Sequence, residues 1–284
     1  KMELSLGFSS FPNDTFIFDA MVNGKIDTEG LDFSVVVTDV ESLNEKAMGR
    51  KLDITKLSFF AYGFVSADYV LLESGSALGK KCGPLLIAKK EFNPAILRDQ
   101  SEIAHSVIAV PGQYTTANFL FSWAFPQTLS KKQMLFSKIE EAVLLGEVDA
   151  GVIIHENRFT YQLKGLKKIA DLGEYWENAT GLPIPLGGIA VKRAFSDDVL
   201  QKISRVMRRS VDFALNNPES GRDYVNSYAG EMDEAVIKKH INLYVNQYTV
   251  QLGEKGLRAI EIFFEKAVKL NILEPVNMPL IFEQ

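Results

Sequence analysis

At 284 residues the chain is longer than one hydrophobic core normally organises, so two lobes are expected. Hydrophobic residues at 46% and charged residues at 24% are ordinary for a globular chain, and a net charge of -5 with no long Lys/Arg run excludes nucleic acid as the expected partner. Cys82 is the single cysteine, which excludes an internal disulfide and a CxxC site, and no segment reaches the ~18 uninterrupted apolar residues of a membrane span.

Met2 is the expected natural start, and a strand follows at once over residues 4–8, leaving no room for a signal peptide. A cytoplasmic location is therefore expected. The strand runs into the polar turn Ser9-Ser10-Phe11-Pro12-Asn13-Asp14-Thr15 and an apolar helix over 16–22, ended by Asn23-Gly24. Plain capping accounts for one or two of these polar residues, not for the cluster. Such a turn aims N–H groups and hydroxyls beyond the strand end. A second strand over 33–37 enters a helix through the cap signal at Asp39, and the unit repeats at 52–54, followed by the turn Thr55-Lys56-Leu57-Ser58. Strands alternating with helices at this spacing predict a mainly parallel sheet. Lys56 stands where it reaches either an anionic ligand or solvent.

Residues 74–84 form a small-residue loop before a strand at 85–88. They lack the GxxxxGK[ST] spacing of a phosphate loop, and Cys82 has no paired base. The polar stretch 89–106, with Asn93-Pro94, reads as a crossing into a second lobe. A strand over 107–110 and the turn Pro111-Gly112-Gln113-Tyr114-Thr115-Thr116 then repeat the plan of residues 4–18. Gly112 permits a tight turn, and Thr115 and Thr116 open a helix whose hydroxyls and N–H groups suit a carboxylate. Two strand-end turns of one polarity suggest one ligand gripped from both lobes.

A helix over 136–145, closed by Gly146, delivers the chain to Gly151-Val152-Ile153-Ile154-His155-Glu156-Asn157-Arg158-Phe159. The apolar run is that of a strand buried on both faces. Ligands in open α/β sheets bind beyond the carboxyl ends of strands, so His155 stands where chemistry is usually done. The competing reading is a histidine that merely caps a strand. Residues 83–88 and 182–191 share a plan and read as paired crossings; 197–216, 219–228, 233–244 and 254–270 read as helices that return to the first lobe.

A zinc-peptidase His-Glu-x-x-His motif fails at Phe159, and no GxSxG elbow supports a serine nucleophile. His105 and His240, in polar or charged surroundings, complete no metal constellation, so neither metal nor cofactor is expected. What remains is acid/base chemistry by one imidazole, whose unperturbed pKa near ~6.5 suits proton transfer. Glu156 reads as a cap or ion-pair partner, and Arg158 faces either way.

Pro12-Asn13-Asp14-Thr15-Phe16-Ile17-Phe18, Thr55-Lys56-Leu57-Ser58, Ser76-Ala77-Leu78-Gly79, Pro111-Gly112 with Thr115-Thr116-Ala117, Ile153-Ile154-His155-Glu156 with Arg158-Phe159-Thr160-Tyr161, and Gly181-Leu182-Pro183 with Pro185-Leu186-Gly187 occur in one order. Together with Tyr244-Val245-Asn246 in the tail, this series resembles the 1,4-dihydroxy-6-naphthoate synthase family of the futalosine route to menaquinone. Phe11, where the resemblance leads one to expect cysteine, and Gln251, where it leads one to expect an acid, depart from the pattern.

The resemblance implies an α/β, two-lobed, periplasmic-binding-protein-like (type II) fold with two chain crossings and an interlobe cleft. Lobe one is expected over 1–88 and 191–284, and lobe two over 89–190. It also implies a small-molecule substrate, cyclic dehypoxanthine futalosine, which joins an aromatic carboxylate to a sugar-derived ring, and a lyase reaction with His155 as base. Asn13, Asp14, Thr15, Thr55, Lys56, Ser58, Gly112, Thr115, Thr116 and Arg158 are the expected substrate-binding residues, with Asp14 next in line as base. Two alternatives remain. Chorismate dehydratase, a sister family of the same fold, lacks the Asn-Asp-Thr-Phe and His-Glu motifs. A solute-binding protein needs the turns but no titratable group.

Overall fold

The computed structural model describes residues 2–99, 104–128 and 130–282; Lys1, and residues 100–103 of the expected crossing, lie outside the described residues. The chain divides into two units, one holding the residues up to Gly79 and from Pro185 onward, the other Lys80–Ile184.

The first unit begins β1 (Met2–Phe8), α1 (Pro12–Val22), β2 (Leu31–Val37), α2 (Val40–Met48), β3 (Ile54–Ser58), α3 (Phe59–Val65), β4 (Tyr69–Leu71) and β5 (Ala77–Gly79). The second unit holds β6 (Leu85–Lys89), β7 (Val107–Val110), α4 (Thr116–Ala124), β8 (Ser130–Gln133), α5 (Ile139–Leu145), β9 (Ala150–Ile153), the short α6 (Asn157–Thr160), β10 (Leu166–Asp171) and α7 (Leu172–Thr180). β11 (Ile184–Lys192) returns to the first unit, followed by α8 (Asp197–Asn216), α9 (Arg222–Ala229), α10 (Glu234–Tyr244), α11 (Gln247–Val250) and α12 (Gly253–Lys269).

Among the described residues the first sheet runs β2-β1-β3-β11-β4, with β5 on β11; the second runs β10-β6-β9-β7-β8. Both are mixed rather than mainly parallel. β1 lies parallel to β2 and β3, but β11 is antiparallel to β3 and β4. In the second sheet β6 is likewise antiparallel to β9 and β10. The strands next to each crossing enter their sheets from the opposite direction, which the local alternation of strand and helix does not reveal.

The same pairings shift two expectations. The boundary expected at 88/89 falls after Gly79, because β6 is hydrogen-bonded to β9 and β10 of the second unit. The return expected at 190/191 falls at Pro185, because β11 pairs with β3 from Gly187 onward. Thr55, Lys56 and Ser58, expected in a turn, are β3 residues whose partners on β11 are Ala190, Ile189 and Gly187.

α1 is buried on all sides from Pro12 to Met21, its polar first turn included, so it is not a striped helix with one face to solvent. Its Phe18 ring stacks on Phe8 of β1 at 4.5 Å between centroids. On the far side α8 presents the helically spaced Ile203, Val206, Met207 and Val211 to the same core. Ser210 of α8 ties the two helices, its hydroxyl donating to the Ile17 carbonyl at 2.6 Å. This clamps the polar first turn of α1 at the end of β1. The second unit has its own core of Leu85, Ile87, Ile139, Val143, Ile153 and Leu166.

Candidate functional site

In the second unit β9 stops at Ile153, one residue earlier than expected, and the chain turns through Ile154, His155 and Glu156 into α6. His155 has a φ of 57°, in the left-handed region. That conformation brings Cβ against the backbone and is uncommon for any residue but glycine. The imidazole packs edge-on to Phe136 at 5.8 Å between centroids. Because the strand has ended, the alternation that would send Glu156 to the opposite face does not apply.

Glu156 is held inward instead. Burial pushes its carboxyl above the usual range and the negative charge of Glu140 adds to this, while its own backbone N–H and, less, Lys164 oppose it. Its Oε2 is buried with no hydrogen-bond partner among the described residues. It stands at the expected N-cap position of α6 but its side chain makes no cap hydrogen bond, and Lys164 pairs with Glu140.

Arg158 does a different job from the substrate binding expected of it. Its guanidinium donates to the carbonyls of Gly83 and Lys81, the latter at 2.9 Å, and lies 3.9 Å from the Asp171 carboxylate. It fastens α6, and so the His155 turn, to the 81–83 loop. That loop is seated on α7: a Cβ on Gly83 would lie 2.3 Å from the Gly173 Cα. Cys82 within it is buried, and burial pushes its thiol up to about 12, so it is no nucleophile near neutral pH.

The turn after β7 is built as the sequence suggests, with one difference. Gly112 has a φ of 156°, open only to glycine at low cost. The Thr115 hydroxyl accepts the Asn118 N–H at 3.2 Å and donates to the Gly112 carbonyl at 2.8 Å. Thr115 is thus a cap occupied by its own turn. Thr116 opens α4 as its first residue.

In the first unit the turn after β1 centres on Asp14. Lys56 Nζ lies 3.0 Å from its Oδ1, with side-chain exposures of 7% and 1%. The Asn13 amide donates to Oδ1 at 2.9 Å, and the Ser9 N–H and hydroxyl both donate to Oδ2. Lys56 also donates to the Gly75 carbonyl at 3.4 Å. These contacts occupy both carboxylate oxygens and bury the ammonium, so Asp14 and Lys56 hold each other rather than reach for an anion or a proton. The expectation that Asp14 stands next in line as base gives way for the same reason.

Thr15 and Thr55 are likewise turned inward, their hydroxyls donating to the Phe11 and Lys56 carbonyls at 3.1 and 2.8 Å. Ser58 joins Asn44 of α2, whose amide oxygen accepts the Ser58 N–H at 2.9 Å and whose Nδ2 donates to Ser58 Oγ at 3.1 Å. The structure therefore brings Asn13, Asp14 and Lys56 together and places Thr15, Thr55 and Ser58 in separate local contacts.

Two residues of these networks escape the sequence reading. Asn44 lies with Leu43 and Ala47 on the buried face of α2. His240, read as lying in polar or charged surroundings, is fully buried on α10 with its Nε2 2.9 Å from Asn13 Oδ1. The signal for it was helical phase: Ile237, His240, Ile241 and Tyr244 share one face.

The family model described as Menaquinone biosynthesis matches residues 4–269. A 1,4-dihydroxy-6-naphthoate synthase from Thermus thermophilus is 40% identical over 277 residues, 98% of this chain and 98% of that one. The crystal structure of protein AF1704 from Archaeoglobus fulgidus is similar at a TM-score of 0.88 and 35% identity, over 95% of this chain and 98% of that one. At 12% identity the alkanesulfonate-binding protein SsuA of Xanthomonas axonopodis pv. citri has a TM-score of 0.70 over 99% of this chain and 98% of that one, and shares the fold alone, the periplasmic-binding-protein fold. The chain belongs to the menaquinone-biosynthesis family and, within it, to the 1,4-dihydroxy-6-naphthoate synthase family.

Proposed function

We propose that the protein is a carbon–carbon lyase of the cytoplasm that converts cyclic dehypoxanthine futalosine to 1,4-dihydroxy-6-naphthoate, with His155 as general base. The observation that carries this reading is the place of His155, in the turn at the carboxyl end of β9 and held at a φ of 57°. A non-glycine residue held there costs roughly 1 kcal/mol or more, and such strain gathers at functional sites. The clamp of Arg158 on the 81–83 loop supports it, since a base needs a fixed orientation. In this mechanism His155 takes a proton from a hydroxyl or carbon of the sugar-derived ring. The electron pair left on that atom forms a π bond to the neighbouring sugar carbon, that carbon's bond to the ring system breaks, and the bond's electron pair moves into the ring system, whose aromatisation drives the step.

Thr116 and the α4 N–H groups suit the substrate carboxylate. Asn13 suits a hydroxyl, because an amide carries two N–H donors and Asp14 accepts one. Incubation with cyclic dehypoxanthine futalosine, and separately with chorismate, tests the reading. Dihydroxynaphthoate is expected from the first alone. Dehydration of chorismate would favour the sister enzyme, and binding with both substrates unchanged would favour a solute-binding protein.

A further inference from the structure

We propose that His240 is a positioning residue: as a neutral imidazole protonated on Nε2, it fixes the Asn13 amide and through it the polar turn at the end of β1. This rests on the reading of Asn13 as a substrate-binding residue. His240 lies on α10, 227 residues from Asn13 in sequence, yet its Nε2 is 2.9 Å from Asn13 Oδ1. The other end of the amide donates to Asp14 at 2.9 Å. Both ends are therefore specified, the oxygen by an N–H and the nitrogen by a carboxylate. The remaining Asn13 N–H is held in one direction, and an amide oxygen cannot be presented in its place.

The surroundings keep the ring neutral. His240 stacks on Phe11 at 6.1 Å between centroids and packs against Tyr244 at 4.7 Å. Burial alone depresses its pKa to about 3. Since Asn13 Oδ1 only accepts, Nε2 must carry the proton, and the tautomer follows. Phe11 supplies one of the two aromatic neighbours.

The test is a double-mutant cycle read in kcat/KM and in thermal stability. His240→Phe keeps an aromatic ring but removes the donor, and is expected to lower kcat/KM about tenfold, the worth of one hydrogen bond. In an Asn13→Ala background the same change is expected to have little further effect. His240→Gln, whose amide N–H reaches as Nε2 does, is expected to restore most of the loss. Equal losses in both backgrounds, or loss of melting temperature with kcat/KM per folded molecule unchanged, would overturn the proposal. Imidazole ¹⁵N spectra supply a readout that needs no substrate. They are expected to show Nε2 protonated and Nδ1 bare from pH 8 to pH 5. A ring protonated on Nδ1, or titrating in that range, would overturn the proposal even if the wild-type protein turned over no substrate, an outcome that separately sinks the functional reading.

Discussion

His155, the Lys56–Asp14 pair and His240 each make a measurable claim. If His155 is the base, His155→Asn keeps size and polarity but cannot take up a proton near neutral pH. Steady-state kinetics should show turnover lower by ~10²–10⁴-fold with KM largely kept. Near wild-type turnover would remove His155 from the mechanism. Lys56 and Asp14 make a buried pair, so Lys56→Met should lower stability in urea by roughly 3 kcal/mol, the cost of stranding a carboxylate, and Asp14→Asn added to it should recover part. A lysine that served only as a ligand anchor would lower affinity and leave the midpoint alone. His240 contributes a pH dependence of stability. Its folded pKa of about 3 lies below the unfolded ~6.5, so the unfolded chain binds more protons between those values and stability falls as pH drops through them. The contribution is complete above pH ~6.5 and is lost toward pH 3, up to roughly 5 kcal/mol over the whole window. His240→Phe should therefore show a shallower loss of urea midpoint between pH 7 and pH 4.5 than the wild-type protein.

Elements whose determinants are local were legible in the sequence. α8 spans the expected 197–216 and β7 the expected 107–110, and α2 starts where Asp39 accepts the Ser42 N–H at 3.0 Å. Elements defined by a distant partner were not. β3 includes residues 55–58 because β11 pairs with them, and β11 lies across an entire second unit in sequence. The contact of the 81–83 loop with α7 is of the same kind. Gly83→Ala would set a Cβ 2.3 Å from the Gly173 Cα and 2.4 Å from its N, backbone atoms that have no rotamer to change. A melting temperature several degrees lower is expected, corresponding to about 1–3 kcal/mol. Turnover should fall with it, since Arg158 anchors the His155 turn to this loop. An unchanged melting temperature would mean that the loop is not seated as described.

For the whole molecule, connectivity makes the two units unequal as folding units. All strands of the second sheet lie within Lys80–Ile184, whereas the first sheet needs β11, which is flanked by β3 and β4 and arrives only after the second unit. An isolated 80–184 fragment is expected to melt cooperatively by circular dichroism, and a 1–79 fragment is not. The opposite result would show that the second sheet depends on the rest of the chain. The sequence by itself determined the alternation of strands and helices, the strand-end polar turns and the prominence of His155, because apolar period, cap residues and glycine act over a few residues. Only the tertiary structure decided that Asp14, Lys56 and Arg158 are held by protein groups, and that Asn13 is gripped from both ends, by Asp14 and by His240. Those outcomes depend on which polar groups meet in the folded chain. A buried donor must find an acceptor wherever the fold supplies one, at any separation along the chain.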